Sequence, residues 1–242
     1  MFRKWIYDSV GWILVSRSRR RYNQYCGLAS ALDVIGERWT LLIVRELLIG
    51  PARYRDLLEA LPGIGTNLLA ERLKFLTEHG VVRRLSGGNE RGYALTDHGE
   101  RLRAPVLQIA HWGLGHLGAS TGDEEVRPGW GFLAVQSMID PSRVGDADEC
   151  YEFRVDGTDF HIRVGDGRAT AHEGRCEAPA MVAATDARTF VEIGSGNLDP
   201  IMAVVSGRLS LEGDEEAVQR AIALLGLAGA PTGVRRRVTG AA

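Results

Sequence analysis

At 242 residues the chain has room for about two domains, and its 45% hydrophobic and 25% charged content excludes a disordered or fibrous protein. The net charge of −2 conceals an asymmetry: residues 1–121 carry a net +6 and residues 122–242 a net −8. The first half therefore suits a polyanionic partner and the second does not. Cys26, Cys150 and Cys176 are too few and too scattered for a disulfide framework or a CxxC metal site, which favours a reducing, cytoplasmic setting. No apolar run reaches the roughly 18 residues that a membrane span needs.

Residues 1–21 begin with Arg3 and Lys4 ahead of an apolar stretch, but Asp8 interrupts it and a basic cluster stands where a cleavage site belongs. The segment reads as an accessory helix or an extension rather than a secretion signal. Leu28, Ala31, Leu32 and Ile35 then recur at helical spacing up to Gly36. A second helix runs from Trp39 to Leu48 with Trp39, Leu42, Ile43 and Leu47 on its apolar side, and Gly50-Pro51 breaks it. Tyr54, Leu57, Leu58 and Leu61 mark a third helix. Leu69, Leu73 and Leu76 mark a fourth, closed at His79-Gly80 by a glycine C-cap. Val81–Leu85 and Tyr93–Leu95 are short strands around a Gly-rich turn, and Thr96-Asp97 opens a helix to about Leu117 that Pro105 kinks or divides.

Residues 118–128 are small and acidic and read as a linker. After a helix over Gly131–Ile139 the texture changes. Tyr151–Val155, Phe160–Val164, Ala169–His172 and Met181–Ala184 look like strands separated by turns such as Asp156-Gly157 and Asp166-Gly167. Asp186 and Asp199 are placed to cap helices, Leu209–Leu211 is a short strand, and Asp214 leads into a last helix over Glu215–Leu225. The fold expected is multi-domain: a mainly α winged helix-turn-helix domain followed by an α+β domain. Its expected divisions are 1–21, 22–118, a linker over 119–128, and 129–242.

The order helix, turn, helix, hairpin suits the reading of a DNA groove. Projected at about 100° per residue, Leu69, Leu73 and Leu76 share one side of the fourth helix, and Asn67, Glu71, Lys74 and Glu78 the other. Thr66 and Asn67 stand in its first turn, where a recognition helix reaches furthest into the major groove. Asn pairs with adenine and Glu accepts from cytosine, while Lys74 suits a phosphate. Arg72 falls towards the buried side, to cross to an acidic partner or reach the backbone from the flank. Arg83 and Arg84 lie on the first wing strand, and Arg91 near the wing tip suits the minor groove. Arg53 and Arg55 are placed for phosphates.

Two resemblances carry further expectations. ALDVIGERWTLLIVRELLIGPARYRDLLEALPGI, TNLLAERLKFLTEHGVV and YALTDHGERL resemble the HxlR-type winged-helix transcription regulators over roughly residues 24–117. That resemblance implies a homodimer on a two-half-site operator of double-stranded DNA, with terminal helices pairing. Some relatives use a cysteine near the first helix as a redox switch; Cys26 stands in about that place, although the family's Cys-Pro pair is here Cys26-Gly27. The second half, from YEFRVDGTDFHIRVGDGRATAHEG to SGRLSLEGDEEAVQRAIALL, resembles sterol-carrier-protein-like domains. This implies a sheet and helices around an apolar cavity, with Phe153, Phe160, Phe190, Ile193, Ile201, Met202, Val205 and Leu224 as candidate lining for a small apolar ligand. Such residues equally build plain core.

Enzyme signals are weak. His161, His172, Asp159 and Glu173 lack a metal-site spacing such as HExxH, and Ser195 in Gly194-Ser195-Gly196 lacks the Gly-x-Ser-x-Gly elbow. No catalytic residue, metal or cofactor is expected. The reading is a DNA-binding regulator tuned by an apolar ligand. The alternative is a lipid-carrier or enzyme-like C-terminal module whose winged helix contacts protein.

Overall fold

A computed structural model describes residues 5–8, 11–14, 21–87 and 90–227. Two compact units part between Glu100 and Arg101. At the N-terminus, β1 (Trp5–Asp8) and β2 (Gly11–Leu14) pair antiparallel in the register Trp5↔Leu14 to Asp8↔Gly11. The described residues 5–8 and 11–14 of this segment are thus extended rather than helical, and the rest of the expected accessory helix or extension lies outside the described residues. Aromatic and β-branched residues such as Trp5, Ile6, Trp12 and Ile13 prefer extended backbone.

The first unit continues with α1 (Gly27–Ile35), α2 (Thr40–Ile49), α3 (Tyr54–Ala60) and α4 (Thr66–Glu78), then the wing strands β3 (Val82–Gly87) and β4 (Glu90–Leu95) and the single turn α5 (Asp97–Glu100). Ile43, Val44, Leu47, Leu57, Leu61, Leu69, Leu73 and Leu76 are almost wholly buried, the leucine spacing of α4 having placed that helix on this core. Trp39 does not begin α2 as expected. It sits just outside at φ +77°, a left-handed conformation uncommon for a bulky residue, with the Arg38 guanidinium over its ring and Gly63 beside the ring.

The second unit contains α6 (Arg103–Leu114), α7 (Pro128–Met138), β5 (Glu149–Val155), β6 (Thr158–Gly165), β7 (Arg168–Glu173), β8 (Met181–Thr185), α8 (Ala187–Gly194), α9 (Pro200–Val205), β9 (Leu209–Gly213) and α10 (Glu215–Leu224). The helix expected from Asp97 to Leu117 is divided at residues 101–102, and Pro105 falls in the first turn of α6, where a missing N–H costs nothing. Helix α6 packs on α7, and Arg103 donates to Gln136 Oε1 at 3.2 Å.

The five strands run in the order β7-β6-β5-β8-β9. Every pairing is antiparallel except β5 with β8. Inward residues of the strands, among them Tyr151, Phe153, Phe160, Ile162 and Met181, meet Phe132 and Val135 of α7 and Ala221 and Leu224 of α10 in one core. Phe132, Phe153, Phe160 and Phe190 form an aromatic cluster with centroid separations of 5.5–6.0 Å, within the range for favourable ring pairs. Asp186, Asp199 and Asp214 cap α8, α9 and α10 through bonds from Thr189 N, Ile201 N and Ala217 N of 2.8, 2.8 and 3.1 Å, each worth about 1 kcal/mol. The acidic stretch read as a linker is tied down. Arg188 of α8 donates to the carbonyls of Gly122 and Glu124 at 3.0 and 2.9 Å, and Asn197 donates to Gly118 O at 3.0 Å.

Candidate nucleic-acid interface and apolar cavity

Helix α4 presents Thr66, Asn67, Glu71 and Lys74 to solvent. The start of the helix is fixed by Tyr54 of α3, whose hydroxyl donates to Thr66 O at 2.6 Å. Lys74 lies 3.8 Å from Glu78, one helical turn on, an ion pair weak enough to yield to a phosphate. Arg72 is corrected. Its side chain is only 10% exposed and donates to Glu37 Oε2 at 2.9 Å, while Nε and Nη1 are buried without hydrogen-bond partners. Position 72 shares the helical face of Leu69, Leu73 and Leu76, so its guanidinium braces α4 against the turn before α2 and does not project towards a groove.

The wing brings basic residues together. In β3 and β4 the register pairs Arg84 with Tyr93 and Ser86 with Arg91. Alternation places these four side chains on one face. A third extended segment joins them: Ala52 N donates to Tyr93 O at 3.0 Å and Tyr93 N to Ala52 O at 2.8 Å. This bridge sets Arg53 and Arg55 beside Arg84 and Arg91 around one open cleft. The carboxylate of Asp56 accepts from Arg53 N at 3.0 Å and fixes the first turn of α3, and Asp56 and Glu59 also line the cleft. Arg84, noted on the wing strand from sequence, thus joins the three arginines expected to meet phosphate or groove, and the two-residue period was the signal for it.

Cys26 stands exposed at the N-cap of α1. The backbone N–H groups of Ala29 and Leu28 hold its thiol below the ordinary value, as a helix N-terminus does for a thiolate.

In the second unit a small apolar cavity of about 70 Å³ lies between the sheet and the helices. Every lining side chain is apolar. Phe153, Phe190 and Ile193 line it as expected, joined by Met138, Met181, Leu209, Ile222 and others that sequence reasoning did not single out. Phe160 and Leu224 are buried core residues outside the lining. Ile201, Met202 and Val205 are corrected: Ala203 is the buried residue of α9, and its bulky neighbours face solvent, Val205 at 74% exposure. A six-residue helix resting on one alanine turns the rest of its apolar surface outward. Pro200, at its start, reaches the cavity.

His161 and His172 do meet, directly opposed across β6 and β7 with rings 5.4 Å apart. His161 Nδ1 is engaged by Gly174 O and His172 Nε2 by Thr170 Oγ1, and no metal-binding group of His, Cys, Asp or Glu occurs among the described residues. The expectation of scattered cysteines is overturned for two of them: Cys150 and Cys176 are joined as a disulfide, because β5 and the segment after β7 are neighbours in space though 26 residues apart. Among the described residues no helix is long and apolar enough to cross a membrane.

Residues 34–121 match the HxlR-like helix-turn-helix family and residues 133–226 the SCP-2 sterol transfer family. The HTH-type transcriptional regulator YvaP of Bacillus subtilis is 42% identical over 86 residues, covering 34% of this chain and 79% of that protein. The HTH-type regulator Rv3095 of Mycobacterium tuberculosis is 40% identical over 86 residues, covering 34% of this chain and 54% of that protein. The match thus spans about half the length of the mycobacterial relative. The quinone-bound structure of YodB from B. subtilis is 35% identical over 36% of this chain and 93% of that chain, with a TM-score of 0.33. From its helix-turn-helix region the chain belongs to the HxlR-like helix-turn-helix family, and it carries an SCP-2-type region behind that domain.

Proposed function

We propose that the protein is a cytoplasmic DNA-binding transcription regulator, not an enzyme, that acts as a homodimer and takes a small apolar ligand in its C-terminal unit. The observation that carries the first part is the pairing of an exposed polar face on α4 with a cleft framed by Arg53, Arg55, Arg84 and Arg91. Thr66, Asn67 and Glu71 are the candidates for base edges, and Lys74 and the arginines for the phosphate backbone and the minor groove. Arg72 acts through Glu37 as a positioning residue.

Dimerisation is supported by apolar surface left open in the single chain. Leu28 in α1, Ile109 and Trp112 in α6, and Leu117 just beyond it are all exposed. Large apolar side chains left in water in this number mark a protein interface. Two-fold symmetry then sets two recognition helices about 34 Å apart on successive turns of DNA. The ligand reading rests on a cavity lined by apolar side chains alone, which suits a hydrocarbon or aromatic body with any polar group left at the mouth. Cys26 is a candidate redox-sensitive thiol on the strength of its exposure and lowered pKa.

Selection of bound duplexes from a random library by the full-length protein tests this function. An inverted repeat with half-sites one turn apart is the expected product. Absence of any enriched duplex overturns the DNA reading. In a thermal-shift screen, stabilisation by apolar compounds is expected in the wild type and lost in Ala183→Phe, which fills the cavity.

A further inference from the structure

On β5 the side chains alternate. Tyr151, Phe153 and Val155 face the core, so Cys150, Glu152 and Arg154 stand on the opposite face of the sheet. Cys150 and Glu152 there are each only 1% exposed. The connector 174–180 between β7 and β8 is fastened to both. Cys176 is bonded to Cys150, its backbone N–H donates to Glu152 Oε2 at 2.9 Å, and Ala180 N donates to Cys150 O at 2.8 Å. The second carboxylate oxygen of Glu152 is held by Arg154 Nε and Nη2 at 2.8 and 2.7 Å. The connector is thus clasped over a buried charge by one covalent bond and a few hydrogen bonds. It leads directly into β8, whose Met181 and Ala183 form part of the cavity wall.

The two sulfurs differ in access. Cys150 is buried in the strand, whereas Cys176 is partly exposed among the exposed residues Gly174, Arg175, Glu177 and Ala178. A thiolate arriving from solvent meets the Cys176 sulfur first, with the Cys150 sulfur as leaving group. A disulfide that is reducible in the folded state is chemistry suited to a redox-responsive protein rather than to a structural staple.

We propose that the Cys150–Cys176 pair is a reversible thiol-exchange site whose reaction partner is a low-molecular-weight thiol such as reduced glutathione. An external thiolate attacks Cys176 Sγ, forming a mixed disulfide and releasing Cys150 as a thiolate that takes a proton from water. A second external thiolate attacks the outer sulfur of the mixed disulfide, forming the oxidised small-molecule disulfide and releasing Cys176, which is likewise protonated. The protein disulfide gains two electrons and two protons, and two small thiols are oxidised. Opening the clasp leaves the connector on hydrogen bonds alone and loosens the β8 wall of the cavity. The inference stands apart from DNA binding and from the identity of any ligand.

The test uses the full-length protein, oxidised with diamide and freed of reagent. Native incubation with millimolar reduced glutathione is followed by acid quench, denaturation and alkylation for mass spectrometry. Without glutathione, alkylation should leave Cys150 and Cys176 unmarked. With it, all three cysteines should be marked, and samples quenched early should carry glutathione on Cys176 and none on Cys150. Hydrogen exchange of peptides covering 174–183 should then rise on reduction in the wild type, and should match the reduced level in Cys176→Ser with or without glutathione. Marking of Cys150 and Cys176 before any reductant is added overturns the bond itself. A bond that survives glutathione until the protein is denatured overturns the exchange site and leaves a structural staple.

Discussion

Replacing Gly92 with alanine tests how the arginine cleft is held together. A Cβ at position 92 would lie 2.6 Å from the oxygen and 3.0 Å from the carbonyl carbon of Ala52. Both are backbone atoms, so no side-chain rotation relieves the clash. The segment carrying Ala52, Arg53 and Arg55 must move away from β4, and the two hydrogen bonds between Ala52 and Tyr93 are stretched or broken. At about 0.5–1.5 kcal/mol for each net backbone hydrogen bond, the local loss is about 1–3 kcal/mol, or about 5- to 150-fold in the local opening equilibrium. Amide hydrogen exchange at Ala52 and Tyr93 reads this directly. Their protection should fall by that factor in Gly92→Ala. Gly87→Ala, where a Cβ meets nothing within 4 Å, should change neither amide. Duplex affinity should fall with Gly92→Ala because Arg53 and Arg55 part from Arg84 and Arg91. Unchanged protection at both amides would refute the view that this bridge assembles the cleft.

Arg72→Met should lower duplex affinity by displacing α4 while leaving the salt dependence of binding unchanged, as expected of a brace that touches no phosphate; a reduced salt slope in duplex titrations would return Arg72 to the DNA surface. Glu149 accepts from Arg220 at 2.6 and 2.8 Å, and this pairing holds its carboxyl below the ordinary value against the opposing effect of burial. A carboxylate depressed in the folded state contributes stability above its unfolded pKa of about 4.3 and loses it as pH falls through the folded value. The stability advantage of the wild type over Arg220→Met in urea melts should therefore be full near neutrality and shrink under acid. Cys176→Ser opens a disulfide spanning 26 residues and should cost about 3–4 kcal/mol on the chain-entropy account, read as a lower unfolding midpoint of the oxidised protein.

Much of the architecture was legible because single residues carried unambiguous signals. The three aspartate caps and the leucines of α4 fixed helix starts and faces, and the Asp-Gly pairs at 156–157 and 166–167 fixed the hairpins that flank β6. In those turns Asp156 and Asp166 adopt φ of +45° and +51° and the following glycines φ of +80° and +66°, which is the paired left-handed geometry a two-residue hairpin turn needs. What stayed hidden depended on residues distant in sequence. Helical projection placed Arg72 on the buried side but could not name Glu37, 35 residues away, as its partner. In α9 nearly every residue is apolar, so periodicity could not distinguish the inward Ala203 from the outward Ile201, Met202 and Val205. The cavity wall draws on β8, β9 and α10 as well as on the aromatic residues that stand out in sequence. The Cys150–Cys176 bond became visible only once the connector after β7 was seen to fold back over β5.

Duplex titration across a range of salt concentrations, on a sequence obtained by selection, tests the central claim most directly. The wild type should bind that duplex in preference to a scrambled one, with log affinity falling linearly in log salt. Arg91→Ala and Arg84→Ala should each weaken binding to both duplexes and reduce the slope by about 0.9 for each phosphate no longer neutralised. Asn67→Ala should leave the slope in place and narrow the difference between the two duplexes. Equal affinity for selected and scrambled DNA, together with slopes that none of these substitutions changes, would contradict the account.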